Sequence, residues 1–237
     1  MTEVKLHGFW YSPMTLRVVL TLKLKDIPYH NIEEDRFNKS LELLRYNPVY
    51  KRTPVFVHNG RPLCESMLII EYIDEIWPHN SLVPADPYER ALARFWAKYA
   101  DDLYLDQSDN NILGQPLKFS AVVAFYLGNN GEEKEANIEK VWEHIMVVEN
   151  KCFGDQKKFF GGDNINMVDL AFGPIVKTIF TIEDILEVKV LKDEKFPHFL
   201  SWYNNFKEVP IIKENLPEHE KMVACLKFIR EKRLASS

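Results

Sequence analysis

The sequence predicts two unlike domains, a small mixed α/β unit followed by an all-α one. Three observations carry this. Up to residue 79, short alternating segments and helical stripes follow one another in the order β-α-β-α-β-β-α. A connector punctuated by prolines, Pro78-His79-Asn80-Ser81 and Pro84-Ala85-Asp86-Pro87, then interrupts the pattern. Beyond it, nearly every apolar pattern has helical spacing. The expected division is residues 1–79, a linker at 80–88 and a helical domain at 89–237.

Each element has its own warrant. Residues 4–9 (VKLHGF) alternate as a strand. Pro13 then stands where a first helical turn accepts proline, and Leu16, Val19, Leu20 and Leu24 give Thr15–Lys25 a helical stripe. Tyr29–Ile32 reads as a second strand, and the stretch opening at Ser40 as a short helix. Pro54–His58 is a strand, and His58-Asn59-Gly60 is a hairpin turn into Arg61–Cys64. Met67–Trp77 is an apolar helix. After the connector, helices are expected over Tyr88–Asp106, Glu132–Cys152, Met167–Leu186, Pro197–Lys207 and His219–Lys232. One brief alternation, Glu187–Leu191, suggests a strand. Asn166-Met167-Val168-Asp169 is a capping box at a helix start, with Ile165 and Leu170 as its hydrophobic staple.

Composition narrows the function. Of 237 residues, 46% are hydrophobic and 27% charged, as in an ordinary globular protein. The net charge of −5 argues against a nucleic-acid partner, which needs a basic face. No apolar run is long enough to span a bilayer, and the N-terminus lacks the pattern of a secretory signal. The three cysteines are widely spaced, which favours a reducing compartment, so a cytoplasmic protein is expected. The seven histidines show no paired ligand spacing, and there is neither a Cys-x-x-Cys nor a phosphate-binding glycine loop, so no metal site is expected.

Three short segments carry candidate chemistry. Ser12 falls at a strand-to-helix turn. Its flanks, Trp10-Tyr11-Ser12-Pro13-Met14, are not those of a serine nucleophile. A hydroxyl there can donate to an anion such as a thiolate, or it can simply cap the helix. Pro54, preceded by Thr53, opens a strand, and a cis proline there would expose a backbone edge. Glu65-Ser66 stands at the mouth of a helix. Ser66 can cap it and hold a carboxylate, while Glu65 pairs with an ammonium group; a plain cap with a solvated glutamate fits equally well. Lys39, Lys51 and Arg52 could neutralise a second carboxylate, or lie as solvated surface charge. Brought together, these groups suit a small anionic peptide with a thiol, namely glutathione.

The same residues resemble the plant tau class of glutathione transferases. The likeness runs through Phe9-Trp10-Tyr11-Ser12-Pro13, Asn47-Pro48 to Thr53-Pro54-Val55, Cys64-Glu65-Ser66, Asp86-Pro87-Tyr88-Glu89-Arg90-Ala91, Phe159-Phe160-Gly161-Gly162-Asp163 and Val168-Asp169. The resemblance implies a thioredoxin-like N-terminal domain, an all-helical C-terminal domain and a homodimer. It implies that Ser12 stabilises the glutathione thiolate as catalytic residue. Lys39 and Arg52 would meet the glycine carboxylate, Thr53 beside a cis Pro54 the cysteinyl unit, and Glu65 with Ser66 the γ-glutamyl end. Glutathione would be co-substrate, without a metal, and a hydrophobic small molecule the acceptor. Ser12-Pro13 replaces the Cys-Pro of cysteine-type relatives, which argues against chemistry needing a protein thiolate. The 103–130 region departs from the family pattern, and the acceptor wall is expected from Met14, Tyr104, Phe119 and Phe125. A glutathione-dependent isomerase or lyase and a non-catalytic carrier are the alternatives.

Overall fold

The computed structural model describes residues 3–104, 120–127, 131–153 and 157–235. Four strands, β1 (Val4–Gly8), β2 (His30–Glu33), β3 (Val55–His58) and β4 (Arg61–Cys64), form one sheet in the order β2-β1-β3-β4. β1 is parallel to β2 and antiparallel to β3, and β3 is antiparallel to β4. The parallel pair needs a crossover, which α1 (Pro13–Leu24) supplies. α2 (Leu41–Tyr46) precedes β3, and α3 (Ser66–Ile76) follows β4. The element order read from the sequence up to Ile76 is the order observed.

Two faces of the sheet are covered unequally. Val4, Leu6 and Phe56 pack with Val18 and Leu22 of α1 and Ile69 and Ile73 of α3. On the other face, among the described residues, Val55 and Val57 form a small cluster with Leu43 of α2, with Tyr46 and Cys64 packed against it. α2 therefore sits on the thin side of the domain.

The connector is fastened by buried charge. Lys25, 1% exposed, donates to the carbonyls of Trp77 and His79 and pairs with Asp74 at 2.7 Å. Asp74 also accepts from Leu82 N, Val83 N and Ser81 Oγ. α4 then begins at Pro87, inside the stretch expected as linker, and runs to Tyr104.

The helical part comprises α4, α5 (Ala121–Leu127), α6 (Gly131–Cys152), α7 (Met167–Leu186), α8 (Pro197–Glu208), α9 (Pro210–Asn215) and α10 (His219–Leu234). α7 is buried on nearly every side and is the core's axis; its core also takes in Met14, Leu16, Leu20 and Ile70 from the first domain. Glu187–Leu191 is not a strand. The N–H groups of Glu187 and Val188 donate to the Glu183 carbonyl, the buried Glu183 carboxylate accepts Val190 N and Leu191 N, and Trp142 Nε1 donates to Val190 O, so these groups are bound by α7 and a side chain of α6 rather than by a neighbouring strand. Among the described residues, no helix is long and apolar enough to cross a membrane.

Candidate functional site

Strand register builds the site. His7 on β1 lies opposite Val55 on β3, and Val55 lies opposite Cys64 on β4. Just beyond these positions, the chain leaves β1 towards Ser12, enters β3 from Thr53-Pro54 and leaves β4 into Glu65-Ser66. The three segments singled out in the sequence thus share one end of the sheet. The Thr53-Pro54 peptide is cis.

Ser12 caps α1, with extended backbone and Pro13 in the first turn. Its Oγ accepts from Thr15 N at 3.5 Å. A cap uses an oxygen lone pair, so it leaves the hydroxyl hydrogen uncommitted. The turn is tight: a Cβ on Gly8 would stand 2.2 Å from Thr15 Cγ2. Thr15 Oγ1 in turn accepts Phe9 N at 3.3 Å, closing the turn that presents Ser12.

The loop before Pro54 is folded by Asn47. Its Oδ1 accepts Tyr50 N at 3.1 Å and its Nδ2 donates to Arg52 O at 3.0 Å. Lys39 Nζ donates to Lys51 O at 2.8 Å, so Lys39 and Arg52 belong to one tied loop. Beneath it, the buried Glu34 accepts from His7 Nδ1 at 2.8 Å, Ser40 N at 3.0 Å and Ser40 Oγ at 2.7 Å. Burial alone would raise the Glu34 carboxyl, but the bonds from His7 and Ser40 outweigh it and hold the group below its ordinary range. Ser40 caps α2, so this buried cluster anchors the helix and Lys39 beside it.

Glu65 and Ser66 are arranged differently from the sequence expectation. Glu65 is the N-cap of α3, at φ 72° and ψ 110°, without a side-chain cap bond. Ser66 is the first helical residue and does not cap. Its buried Oγ faces inward, accepting from Arg17 Nη1 at 3.1 Å and donating weakly to Met14 Sδ. What α3 offers at this end is its first backbone N–H groups, which no helical carbonyl can satisfy and which suit a carboxylate. The strained backbone at Glu65 is the kind found where a ligand is held.

Two residues here escape sequence reasoning. Arg17 is fully buried, yet donates to Ala171 O on α7, Ser66 Oγ and, at 2.5 Å, Asp101 on α4. It joins three helices behind the mouth of α3. Asp101 also acts on Glu65: loss of solvent raises the Glu65 carboxyl, Asp101 raises it further, and Arg52 opposes both. Two carboxylates side by side would be relieved by an ammonium group.

The four residues expected in the acceptor wall differ in their surroundings. Phe125 has no exposed surface and Met14 is 8% exposed, with its sulfur against Arg17. Both belong to the buried apolar cluster of the helical domain. Tyr104 is partly exposed at the end of α4, and Phe119 lies outside the described residues. The sequence missed Tyr11. It stacks on Phe9 with centroids 5.7 Å apart, and burial pushes its phenol up to about 12, while a hydrogen bond from Arg36 works the other way. Tyr104 also raises the Tyr11 phenol, which places the two in one neighbourhood.

Comparison with known proteins shows the family. Residues 2–75 match the family model for the glutathione S-transferase N-terminal domain, and residues 111–210 that for the C-terminal domain. The chain is 43% identical over 224 residues to a probable glutathione S-transferase of Nicotiana tabacum, covering 94% of this chain and 92% of that one. It resembles the crystal structure of a Tau class glutathione S-transferase from mango, Mangifera indica, with TM-score 0.83, 36% identity and coverage of 95% and 98%. It also resembles rice GST1 solved in complex with glutathione, with TM-score 0.82, 29% identity and coverage of 98% and 97%.

Proposed function

The chain belongs to the glutathione S-transferase family, in its plant Tau class, and from that premise we propose that it transfers the glutathione thiolate to hydrophobic electrophiles with Ser12 as the thiolate's hydrogen-bond donor. The observation that carries this reading is the single sheet end shared by Ser12, the Thr53–cis-Pro54 edge and the start of α3. The thiolate accepts the Ser12 hydroxyl proton as a hydrogen bond; Ser12 is a donor throughout and forms no covalent intermediate. The Thr53 backbone pairs with the cysteinyl unit. Lys39 and Arg52 meet the glycine carboxylate. The γ-glutamyl carboxylate lies on the first N–H groups of α3, Ser66 included, and its ammonium faces Glu65 and Asp101.

Calorimetric titration with glutathione, paired with conjugation of an aromatic halide, tests the reading. Binding with glutathione-dependent turnover is expected. Binding without turnover would favour a carrier, and a product without bound glutathione an isomerase or lyase. No binding would defeat the proposal.

We further propose that the active form is a homodimer joined through α3 and α4. Tyr88, Leu92 and Phe95 project from one stripe of α4 with exposures of 69%, 37% and 57%, and Leu68 of α3 is 62% exposed. The ion pair Arg94–Glu71 ties the two helices beside this stripe. Phe95→Asp places a charge in the proposed apolar contact. Light scattering should then report a monomer where the unmodified protein gives a dimer. A monomer from the unmodified protein would sink the idea.

A further inference from the structure

On the outer face of the helical domain, three side chains outside the glutathione site form a relay. Asp184 Oδ2 lies 2.6 Å from His219 Nε2, and His219 Nδ1 lies 3.1 Å from Lys177 Nζ. Lys177 and Asp184 are both on α7, seven positions apart and therefore on one face, and His219 opens α10. The carboxylate can only accept, so Nε2 carries the imidazole proton and Nδ1 turns its lone pair to Lys177. This is the arrangement of an activated nucleophile: a base within reach of the nucleophile, itself oriented by a carboxylate.

We propose that Lys177 is an acyl-acceptor site, modified by thioesters of small acyl groups with His219 as its base and Asp184 as the residue that positions His219. The reaction balances without an oxidant or a metal. One proton of the Lys177 ammonium passes to His219 Nδ1 and on to solvent, freeing the nitrogen lone pair. The nitrogen attacks the thioester carbonyl, the carbon–sulfur bond breaks, and an amide forms. The second proton lost by nitrogen goes to the leaving thiolate, which departs as a thiol.

The surroundings favour the neutral amine. Lys177 is half-buried, and loss of solvent holds its ammonium below the ordinary lysine range; Lys207 acts in the same direction and Asp184 against it. The His219 and Asp184 side chains are 43% and 60% exposed, so a donor from solution reaches the relay.

The test is acylation of the full chain by acetyl coenzyme A at mildly alkaline pH, followed by peptide mass spectrometry. Lys227, exposed on α10, is the internal reference. Lys177 should be acetylated roughly tenfold faster or more, within the range of general-base assistance and against the order that exposure alone would give. His219→Gln should bring Lys177 to or below the rate of Lys227. Asp184→Asn, at an exposed site, removes a charge that favours the Lys177 ammonium and would by itself speed labelling, so a lowered ratio in this variant reports the lost positioning of His219, and the proposal stays testable should the histidine variant fail to fold. Labelling of Lys177 no faster than Lys227, or a ratio unmoved by both variants, would overturn the assignment.

Discussion

Ser12→Ala is expected to lower kcat/KM for glutathione conjugation about 10- to 100-fold near neutral pH, the largest effect on activity of any single change in this protein. A free thiol with pKa ~8.5 is only a few per cent ionised at neutral pH. A hydrogen bond to a charged group contributes on the order of 1.5–3 kcal/mol, which lowers that pKa by roughly one to two units. Alanine removes the donor and returns the thiol towards its free value. The alanine chain also loses the cap on Thr15 N, worth about 1 kcal/mol of stability, so a lower rate alone would be ambiguous. The pH profile separates the two effects. If Ser12 acts on the thiolate, the acid limb of kcat/KM moves up by one to two units and the deficit shrinks in alkali, where glutathione ionises unaided. An acid limb that stays in place would show that Ser12 serves the helix alone. The KM for glutathione should change little, because the proposed partners of its carboxylates and ammonium, Lys39, Arg52, Glu65 and the start of α3, are untouched.

Local signals and distant ones differ sharply in what the sequence reveals. The strands, the hairpin at Asn59-Gly60 and the cap at Ser12 follow from periodicity and turn chemistry within a few residues, and they appear where expected. α5 and α9 escape because seven apolar residues suit a strand as well as a helix, and because Pro210 reads as a breaker when it stands in a first turn. Glu187–Leu191 misleads for a different reason. Its alternation is genuine, but the partner that decides its backbone is a carboxylate on α7 and not another strand. Arg17 is the extreme case. It reads as one more charge on a helix, and its burial becomes intelligible only once Ser66, Asp101 and Ala171 arrive from 49, 84 and 154 residues away. The same distance explains Ser66. Its type and place suit a cap, but Arg17 engages the hydroxyl from inside, and the cap position falls to Glu65. The candidate site is therefore legible as a set of segments, whereas the charged framework behind it depends on tertiary contacts.

Asp169→Ala should have the largest effect on stability. Asp169 has no exposed surface and closes the capping box of α7, the central helix. Its carboxylate accepts Asn166 N at 2.8 Å, Phe160 N at 3.0 Å and Trp202 Nε1 at 2.7 Å. Alanine strands the buried Trp202 indole N–H, at about 1–3 kcal/mol when unpaired, leaves the part-buried N–H groups of Phe160 and Asn166 without this acceptor, and so opens the capping box while the Asn166 cap remains. A loss of about 3–5 kcal/mol is expected, which lowers Tm by roughly 10 °C or more in a chain of this size. Its pH dependence identifies the cause. Burial pushes the Asp169 carboxyl up to about 6, against the opposing bonds from Asn166, Phe160 and Trp202. A folded-state value above the unfolded one means that this group adds most stability below the unfolded pKa of about 4, and that the addition is lost as pH rises towards 6. The gap between the parent protein and Asp169→Ala should therefore widen by about 1 kcal/mol from pH ~7 to pH ~5. Urea unfolding of both proteins at the two pH values measures it, and the difference cancels the other titrating groups. A gap that narrows in acid would mean that Asp169 is held as a stabilised carboxylate and that its hydrogen bonds outweigh its burial.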